Sequence, residues 1–335
     1  MNSESTLLLT RQDVRSLLSI GECIEAVEWV FKLHGEGKTS APGILGIHAR
    51  DGGFHIKAGL LEQEGNFFVA KLNANFPANP KQFSLPTIQG VIVLFDGENG
   101  VPLALMDSIE ITILRTGATT AVAAKYLSRT DASTVTICGA GNQGRIQLRS
   151  LLSIRPLKRA FVYDINANLA QQFVEDFSAE LHIEAIGNDQ IASSVKKSDI
   201  CATCTTSKKY FLNCDDVPPG MFLAGVGADN EEKQELDPKL FQTNKIVVDI
   251  LEQSATIGDL HHALREGTVT KENVYAELGE IVAGKKPGRI SDDEIIIFDS
   301  TGMALQDAAA AVLVYKKAIK NKVGTPFTFN EFSRK

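Results

Sequence analysis

The sequence predicts an α/β fold in which a doubly wound parallel sheet is joined to an α+β domain. At ~150 residues per domain, the 335 residues correspond to about two domains. Between residues 129 and 302, apolar runs of strand length alternate with helical spacing, which is typical of a parallel sheet covered on both faces. Between residues 46 and 104, short alternating runs indicate an antiparallel sheet. We therefore predict a first domain at 1–128, joined by the C-terminal helix in 303–335, and a second domain at 129–302.

The first domain is predicted to begin with a short strand and two helices. Ile24, Val27 and Phe31 recur at helical spacing, and four strand-like runs with turn signals between them follow. A helix rich in Ala, Thr and Leu then leads into the second domain. The predicted elements are the strand Leu7–Thr10, the helices Arg11–Leu18 and Ile20–Gly35, the strands Phe54–Ala58, Phe67–Asn75, Thr87–Phe95 and Pro102–Asp107, and the helix Ile109–Leu127.

The second domain is predicted from strands and helices that follow one another closely. The strands are Thr134–Cys138, Ala160–Tyr163, Ile183–Ile186, Ile200–Thr203, Met221–Ala224 and Ile246–Asp249, and the helices are Gln143–Ser153, Asn168–Ser178 and Ile191–Val195. A last helix, Ala304–Ile319, carries an apolar stripe that includes Leu305, Ala308 and Val312, and we expect it to return to the first domain.

Composition and charge exclude several classes of protein. The 34 Lys and Arg residues against 41 Asp and Glu residues give a net charge of −7, and the absence of a basic cluster argues against nucleic acid as a partner. No run approaches the ~18 apolar residues of a membrane span, and residues 1–11 are too polar for a secretory signal, so we expect a cytoplasmic protein. The five scattered cysteines predict reduced thiols, and neither the Cys201/Cys204 spacing nor the dispersed histidines predict a metal site.

A glycine-rich turn lies where a dinucleotide would bind. The strand Thr134–Cys138 is followed directly by Gly139-Ala140-Gly141-Asn142-Gln143-Gly144, a GxGxxG pattern between a predicted strand and a predicted helix. In such a turn Gly139 permits the bend, Gly141 lets a pyrophosphate approach the backbone, and Gly144 allows the helix to pack closely on the sheet. The pattern therefore predicts a Rossmann-type nucleotide site.

Asp164 predicts which dinucleotide is preferred. It ends the next strand, 20 residues after Gly144, where a carboxylate can accept hydrogen bonds from the adenosine ribose diol. The carboxylate would repel a 2′-phosphate, and Ile165-Asn166-Ala167 offers no arginine to bind one, so NAD is preferred while NADP is not excluded. The alternative is that Asp164 is a helix-capping or turn residue.

Polar residues on two strands are not explained by core packing. Lys71, Asn73 and Asn75 share one face of a strand, and His55 and Lys57 share a face of the strand before it. Either these faces are solvated, or their cations converge on one anion such as a substrate carboxylate.

Two further residues are candidates for chemistry. Arg115 lies in a helix of small residues, where its planar guanidinium could bind a carboxylate or phosphate or form a structural ion pair. Asp229 follows the glycine-rich end of a strand, at the sheet edge where ligands bind in open α/β sheets, so it is a candidate acid or base.

The sequence resembles the ornithine cyclodeaminase and mu-crystallin family over nearly its whole length. The resemblance lies in the segments Lys71-Leu72-Asn73, Leu85-Pro86-Thr87, Met106-Asp107, Leu114-Arg115-Thr116, Gly139-Ala140-Gly141-Asn142-Gln143, Gly227-Ala228-Asp229, Lys233-Gln234-Glu235-Leu236, Ala276-Glu277-Leu278-Gly279 and Phe298-Asp299-Ser300-Thr301-Gly302. It implies that the N-terminal part and the C-terminal helix form a substrate-binding and dimerisation domain, with a Rossmann domain between them. It also implies a homodimer whose active site lies between the domains.

The resemblance extends the set of candidate site residues. It implies that Lys71 contacts substrate and that Asp229 is the catalytic carboxylate. Implied cofactor contacts, beside the glycines of the turn, are Thr87, Arg115, Asn142, Gln143, Asp164, Thr205, Lys233 and Ser300.

The expected reaction is NADH-dependent reduction of a cyclic imino acid, either Δ1-pyrroline-2-carboxylate to L-proline or Δ1-piperideine-2-carboxylate to L-pipecolate. Lys71, with Lys57 or Arg115, would hold the substrate carboxylate, and a protonated Asp229 would supply the proton to nitrogen.

Other activities remain alternatives. Family members that act on ornithine or alanine usually carry a basic residue where this sequence has Ala41-Pro42-Gly43-Ile44, which counts against ornithine cyclodeaminase and alanine dehydrogenase. A ligand-binding protein without turnover, like mu-crystallin, is disfavoured by the presence of Lys71 and Asp229.

Overall fold

The structure is a computed structural model that describes residues 5–62 and 65–329. The chain divides into a first unit of Met1–Val30, Gly37–Arg115 and Met303–Lys335, and a second unit of Phe31–Glu36 and Thr116–Gly302. Parts of the predicted first domain, namely residues 1–4, 63–64 and 330–335, lie outside the described residues.

The elements alternate between strand and helix along most of the described chain. The strands are β1 (Thr6–Leu9), β2 (Gly43–Ala49), β3 (Gly52–Leu61), β4 (Phe67–Asn75), β5 (Ile88–Asp96), β6 (Pro102–Asp107), β7 (Thr134–Cys138), β8 (Arg159–Tyr163), β9 (His182–Ile186), β10 (Ile200–Thr203), β11 (Lys208–Leu212), β12 (Phe222–Gly225), β13 (Gln234–Leu236), β14 (Lys245–Val248), β15 (Val274–Glu277), β16 (Ile296–Asp299) and β17 (Thr325–Phe327). The helices are α1 (Arg11–Leu17), α2 (Ile20–Gly35), α3 (Asn79–Gln82), α4 (Ile109–Leu127), α5 (Asn142–Leu152), α6 (Ala167–Phe177), α7 (Ile191–Val195), α8 (Leu240–Thr243), α9 (Leu251–Ile257), α10 (Asp259–Arg265), α11 (Leu278–Val282) and α12 (Ala304–Asn321).

The first unit is built on a seven-stranded sheet in the order β17-β1-β6-β5-β4-β3-β2. All neighbouring strands are antiparallel except β1 and β6, which are parallel. Helix α12 packs on β3 and β4 and covers the face that carries Val69, Ile92 and Leu94, which are buried. Because side chains alternate along a strand, Leu45, Leu72 and Val91 project from the opposite face and are exposed.

The second unit is built on an eight-stranded parallel sheet in the order β15-β14-β16-β12-β10-β7-β8-β9. The central strands β10, β12 and β16 are buried throughout and rich in Ile, Phe and Ala, as expected for a parallel sheet with both faces covered. One core cluster of this unit includes Phe161, Leu223, Phe241 and Ile297. The strand order changes direction beside β7, which is where ligands bind in such sheets.

The predicted fold class is confirmed, with differences at particular elements. The sheet of the first unit is not purely antiparallel, because β1 pairs in parallel with β6. The predicted strand Leu7–Thr10 ends at Leu9, because the Thr10 side chain caps α1 by accepting from the Asp13 N–H. Strands β2, β11, β13, β15, β16 and β17 were not predicted. No helix among residues 5–62 and 65–329 is long and apolar enough to cross a membrane.

Candidate active site

Lys71 is a buried cation on the covered face of the first unit's sheet. It lies on β4 and is 3% exposed, so a solvated sheet face does not describe it. The strand register places Lys57 directly opposite Lys71 and His55 directly opposite Asn73. Asn73 accepts a hydrogen bond from the Ser108 hydroxyl at 2.6 Å. The structure thus brings Lys57 and Lys71 together on neighbouring strands.

Asp307 joins Lys71 to Arg115. It lies in the first turn of α12 and is 1% exposed, with Oδ2 2.7 Å from Lys71 Nζ and Oδ1 accepting from Arg115 Nε at 3.0 Å. Gln306 Oε1 accepts from Arg115 Nη1 at 3.0 Å, so two neighbouring residues of α12 orient the guanidinium. Arg115 therefore forms an ion pair with Asp307. The second cation that pairs with Asp307 is Lys71, the predicted substrate residue.

Burial and neighbouring charges alter the acidity of this group. Burial, with a smaller effect of Arg115 and Lys57, lowers the pKa of Lys71 to about 7 although Asp307 acts in the opposite direction. Burial alone would raise the pKa of Asp307, but Arg115 and Lys71 together hold it below its usual value. Lys71 can therefore change its charge near neutral pH.

Sequence reasoning missed Gln306 and Asp307. Both follow Leu305 on the apolar stripe that was predicted for the last helix, and they precede four consecutive alanines. A charged residue in such a run requires a buried partner, and this was the available signal.

The turn after β7 has the shape that a dinucleotide needs. Gly139 has a φ of +109°, and a Cβ on Gly144 would lie 1.8 Å from the Gly139 carbonyl oxygen. A Cβ on Gly141 would meet no heavy atom of the described chain within 4 Å, which leaves space beside the backbone. Gly141 is the N-cap residue of α5 and has no side chain with which to cap the N–H groups of the first turn. These features fit the pyrophosphate of a bound dinucleotide.

Asp164 lies directly after β8 and contacts the same turn. Its Oδ2 accepts from the Ala140 N–H and its Oδ1 accepts from the Asn166 N–H, each at 2.8 Å. The carboxylate is therefore a turn residue and still lies beside the glycine-rich loop, so both predicted roles are compatible.

Thr205 is held at the end of β10 by a buried glutamate. The N–H and the hydroxyl of Thr205 both donate to Glu235 Oε1 at 2.6 Å, and the Gly227 N–H donates to Glu235 Oε2 at 3.0 Å. Burial raises the pKa of Glu235. Glu235 thus ties Thr205 to the loop that leads to Asp229.

Asp229 and Lys233 form an ion pair on the loop after β12. Lys233 Nζ lies 2.6 Å from Asp229 Oδ1, and the Asp229 side chain is 47% exposed. Asn230 Nδ2 also donates to Asp229 Oδ1 at 3.3 Å. Two residues that were predicted for different roles, catalysis and cofactor binding, therefore contact one another.

The remaining predicted cofactor residues lie in both units. Thr87 precedes β5 in the first unit, and its carbonyl accepts from the Phe76 N–H at 2.8 Å. Asn142 and Gln143 begin α5 in the second unit, and Gln143 Oε1 is buried. Ser300 follows β16, with its N–H donating to the Gly225 carbonyl at 2.8 Å. The first unit thus holds Lys57, Lys71, Thr87 and Arg115, and the second holds the other predicted residues.

The chain is similar to known proteins over almost its whole length. The model of the ornithine cyclodeaminase/mu-crystallin family matches residues 4–322. Alanine dehydrogenase of Archaeoglobus fulgidus is 37% identical, over 97% of this chain and 98% of that protein. A solved archaeal alanine dehydrogenase dimer with bound NAD has a TM-score of 0.93 and 35% identity, over 97% of this chain and 100% of the other. Thermococcus litoralis Δ1-pyrroline-2-carboxylate reductase, solved in complex with NADH and L-proline, has a TM-score of 0.90 and 35% identity, over 96% and 99% of the two chains.

Proposed function

Because the chain belongs to the ornithine cyclodeaminase/mu-crystallin family, we propose that it is an NADH-dependent reductase that converts Δ1-pyrroline-2-carboxylate to L-proline. Its family relatives are nicotinamide-dependent enzymes of amino or imino acids. The observation that carries the proposal is the buried group of Lys71, Arg115 and Asp307, in which two cations share one carboxylate. Lys71 and Arg115 thus bring two cationic donors together at one place, and donors of this kind bind the single carboxylate of an imino acid.

The surroundings of Lys57 favour a substrate with an apolar ring. The register of β2 places Ile44 directly opposite Lys57, in the stretch where relatives that act on ornithine or alanine carry a cation. An isoleucine there supplies apolar surface in place of that positive charge. The six-membered Δ1-piperideine-2-carboxylate differs from the five-membered ring by one methylene, which a pocket distinguishes by only ~1–3 kcal/mol.

The residues divide the chemical work. Lys71 and Arg115 bind the carboxylate and fix the orientation of the adjacent C=N bond. NADH, when bound, supplies the hydride for the imine carbon. Asp229 holds the proton for the nitrogen, which completes the amine, and this role requires its carboxylate to be withdrawn from solvent in the reacting complex.

NAD(H) is the proposed cofactor because Asp164 places a carboxylate beside the phosphate loop. Its negative charge favours a ribose diol and disfavours a 2′-phosphate. The hydrogen bond to Ala140 keeps the carboxylate against the loop, at 2.8 Å.

A homodimer is also proposed. Leu45, Ile56, Leu72 and Val91 are directly opposite one another across β2, β3, β4 and β5, and Leu45, Leu72 and Val91 are 53, 40 and 41% exposed. Such a contiguous apolar row on a sheet face is typical of a protein interface. The similar archaeal alanine dehydrogenase is a dimer.

Alanine dehydrogenase activity is the second candidate, favoured by the 37% identity to the Archaeoglobus fulgidus enzyme. The two candidates share the reduction of a C=N bond next to a carboxylate. They differ in whether the imine is a ring or arises from pyruvate and ammonia.

Steady-state oxidation of NADH by the purified protein tests the proposal. Turnover is expected with Δ1-pyrroline-2-carboxylate and, at a different rate, with Δ1-piperideine-2-carboxylate, while pyruvate plus ammonia should be a poor substrate pair. Ammonia release from L-ornithine with catalytic NAD and no accumulation of NADH would instead assign a cyclodeaminase. Absence of turnover with both cyclic imines rejects the proposal.

A variant pair links the activity to the site. Asp229→Asn should lower kcat strongly, since the amide cannot donate a carboxyl proton. Asp131→Asn removes an exposed carboxylate that pairs with Arg129 in the same unit, and it should leave kcat unchanged.

A further inference from the structure

We propose that Asp307 is a positioning residue that favours the protonated form of Lys71 and fixes it beside Arg115 for capture of the substrate carboxylate. This inference rests on the proposed function and assigns a role to a residue that does not itself need to touch substrate. It begins from the geometry at the first turn of α12, where one buried carboxylate lies between two cations.

The two oxygens of Asp307 have separate tasks. Oδ2 lies 2.7 Å from Lys71 Nζ, and Oδ1 accepts from Arg115 Nε at 3.0 Å. Gln306 Oε1 accepts from Arg115 Nη1, a second nitrogen of the same guanidinium, at 3.0 Å. Two residues of α12 therefore set the orientation of Arg115. The carboxylate thereby fixes the spacing of two cations that come from β4 and α4.

Charge balance explains why an acid is needed at this position. Lys71 and Arg115 are 3% and 7% exposed, and Lys57 lies opposite Lys71 on β3. Loss of the Asp307 carboxylate would strengthen the repulsion between these cations, and lysine can lose its charge by releasing a proton whereas arginine cannot. Loss of Asp307 would therefore favour the neutral form of Lys71.

The other titratable groups near Lys71 have defined effects. Burial, Arg115 and Lys57 lower the pKa of Lys71, and Asp307 opposes them. On α2, the buried Cys23 thiol lies near Arg115 and Asp307, and burial raises its pKa to about 12, so it stays neutral in the working range. Removing the Asp307 charge should thus lower the pKa of Lys71 further, below its wild-type value of about 7.

The test compares the pH dependence of kcat/KM, which reports the free enzyme, for wild type, Asp307→Asn and Asp307→Glu. Wild type should lose kcat/KM as the pH rises through the pKa of Lys71. In Asp307→Asn this fall should begin at lower pH, so that kcat/KM at pH 8 is reduced ~10-fold or more, mainly through KM, with a smaller loss near pH 6. Asp307→Glu keeps the negative charge, so its pH dependence of kcat/KM should be close to that of wild type.

Glu22→Gln is the matched control. It removes the ion pair that α12 makes with α2, in which Lys317 Nζ lies 2.7 Å from Glu22 Oε1, and it should keep the wild-type profile. A pH-independent loss in Asp307→Asn, or an unshifted fall in kcat/KM, overturns the proposal, because a purely structural carboxylate would act equally at every pH. Titration of NADH by fluorescence verifies that each variant is folded.

An unfolding experiment separates this inference from the proposed reaction. The difference in unfolding free energy between wild type and Lys71→Met should begin to rise above about pH 7, because unfolded lysine binds a proton that native Lys71 has released. In the Asp307→Asn background the rise should begin at lower pH. An identical onset in both backgrounds overturns the role of Asp307, whereas a shifted onset without turnover of any imine leaves that role supported and rejects only the proposed substrate.

Discussion

Asp164 stabilises the turns on either side of it and, in the proposed function, also binds the cofactor. Its Oδ2 accepts from Ala140 within the phosphate turn, and its Oδ1 accepts from Asn166. A hydrogen bond to a charged acceptor contributes ~1.5–3 kcal/mol to stability. A substitution that keeps an acceptor oxygen but removes the charge can therefore test the two properties of Asp164 separately.

Asp164→Asn keeps one acceptor oxygen and removes the negative charge. We expect the ratio of kcat/KM for NADH to that for NADPH to fall ~10-fold or more, because the repulsion of the 2′-phosphate is lost. Initial rates with each cofactor measure this ratio, and Asp131→Asn is the control for loss of an exposed carboxylate in the same unit. An unchanged ratio would show that Asp164 is only a turn residue.

At the scale of elements, the turn between β7 and α5 allows stability and binding to be tested apart. A Cβ at Gly144 would collide with the Gly139 carbonyl, whereas Gly141 has an extended backbone with φ −76° and ψ −165° and open space around it. One glycine is therefore required by packing, and the other is required only if a ligand approaches.

Gly144→Ala should lower the free energy of unfolding by ~1–3 kcal/mol, because the added methyl overpacks the turn. Gly141→Ala should leave stability unchanged but weaken NADH binding at least ~10-fold, because the methyl fills the space of the pyrophosphate. Gly21→Ala, also in open space but on α2, is the control for NADH binding; its stability should be unchanged or slightly raised, because alanine is favoured over glycine in a helix. Urea unfolding and NADH fluorescence distinguish the effects, and wild-type affinity in Gly141→Ala would contradict a phosphate site there.

The junction of β13, β16 and α10 contains neighbouring buried acids. Asp259 Oδ1 accepts from the N–H groups of Glu235 and Leu236, and Asp299 accepts from those of Asp259 and Leu260. Burial raises the pKa of Asp299 to about 7, and burial and the neighbouring Asp299 raise that of Asp259. Native protein therefore holds protons that the unfolded chain releases above about pH 4.

Since the native state binds more protons, these acids make stability fall as the pH rises from about 4 through 7. Asp259→Asn keeps the Oδ1 acceptor and replaces Oδ2, which accepts no hydrogen bond from the residues that the structure describes. The variant should gain ~1–3 kcal/mol relative to wild type at pH 8 and less at pH 5. Glu180→Gln, an exposed change, should parallel wild type in the same urea series, and parallel curves for Asp259→Asn would refute the argument.

Local patterns in the sequence predicted the bounds of many strands and helices. They did not predict which residues from distant parts of the chain contact one another. The predicted bounds of β4, β6, β7 and β10 coincide with the structure because each has a clear apolar pattern and turn signals. Strand β2 is exposed along most of its length and carries no alternation to detect. The pairing of Arg115 with Asp307 spans 192 residues, so no local pattern could predict it.

At the scale of the whole molecule, the exposed sheet face has properties that a monomer does not explain. The row from Leu45 to Val91 crosses four strands, and its centre, Leu72, lies on the face opposite to Lys71. Burying such a row against a second copy would stabilise the assembly by ~25 cal/mol for each Å² of apolar surface removed from water.

The double variant Leu45→Glu/Leu72→Glu should therefore dissociate the proposed homodimer. Two carboxylates in the centre of an apolar interface would be buried without partners. Substitution at a central interface position of this kind lowers the binding free energy by ~2 kcal/mol or more. Sedimentation velocity should give the mass of two chains for wild type and of one chain for the variant. Ile165→Glu is the control, since Ile165 is 93% exposed and belongs to the second unit. A wild-type monomer, or a double variant that remains dimeric, would remove this face from the interface.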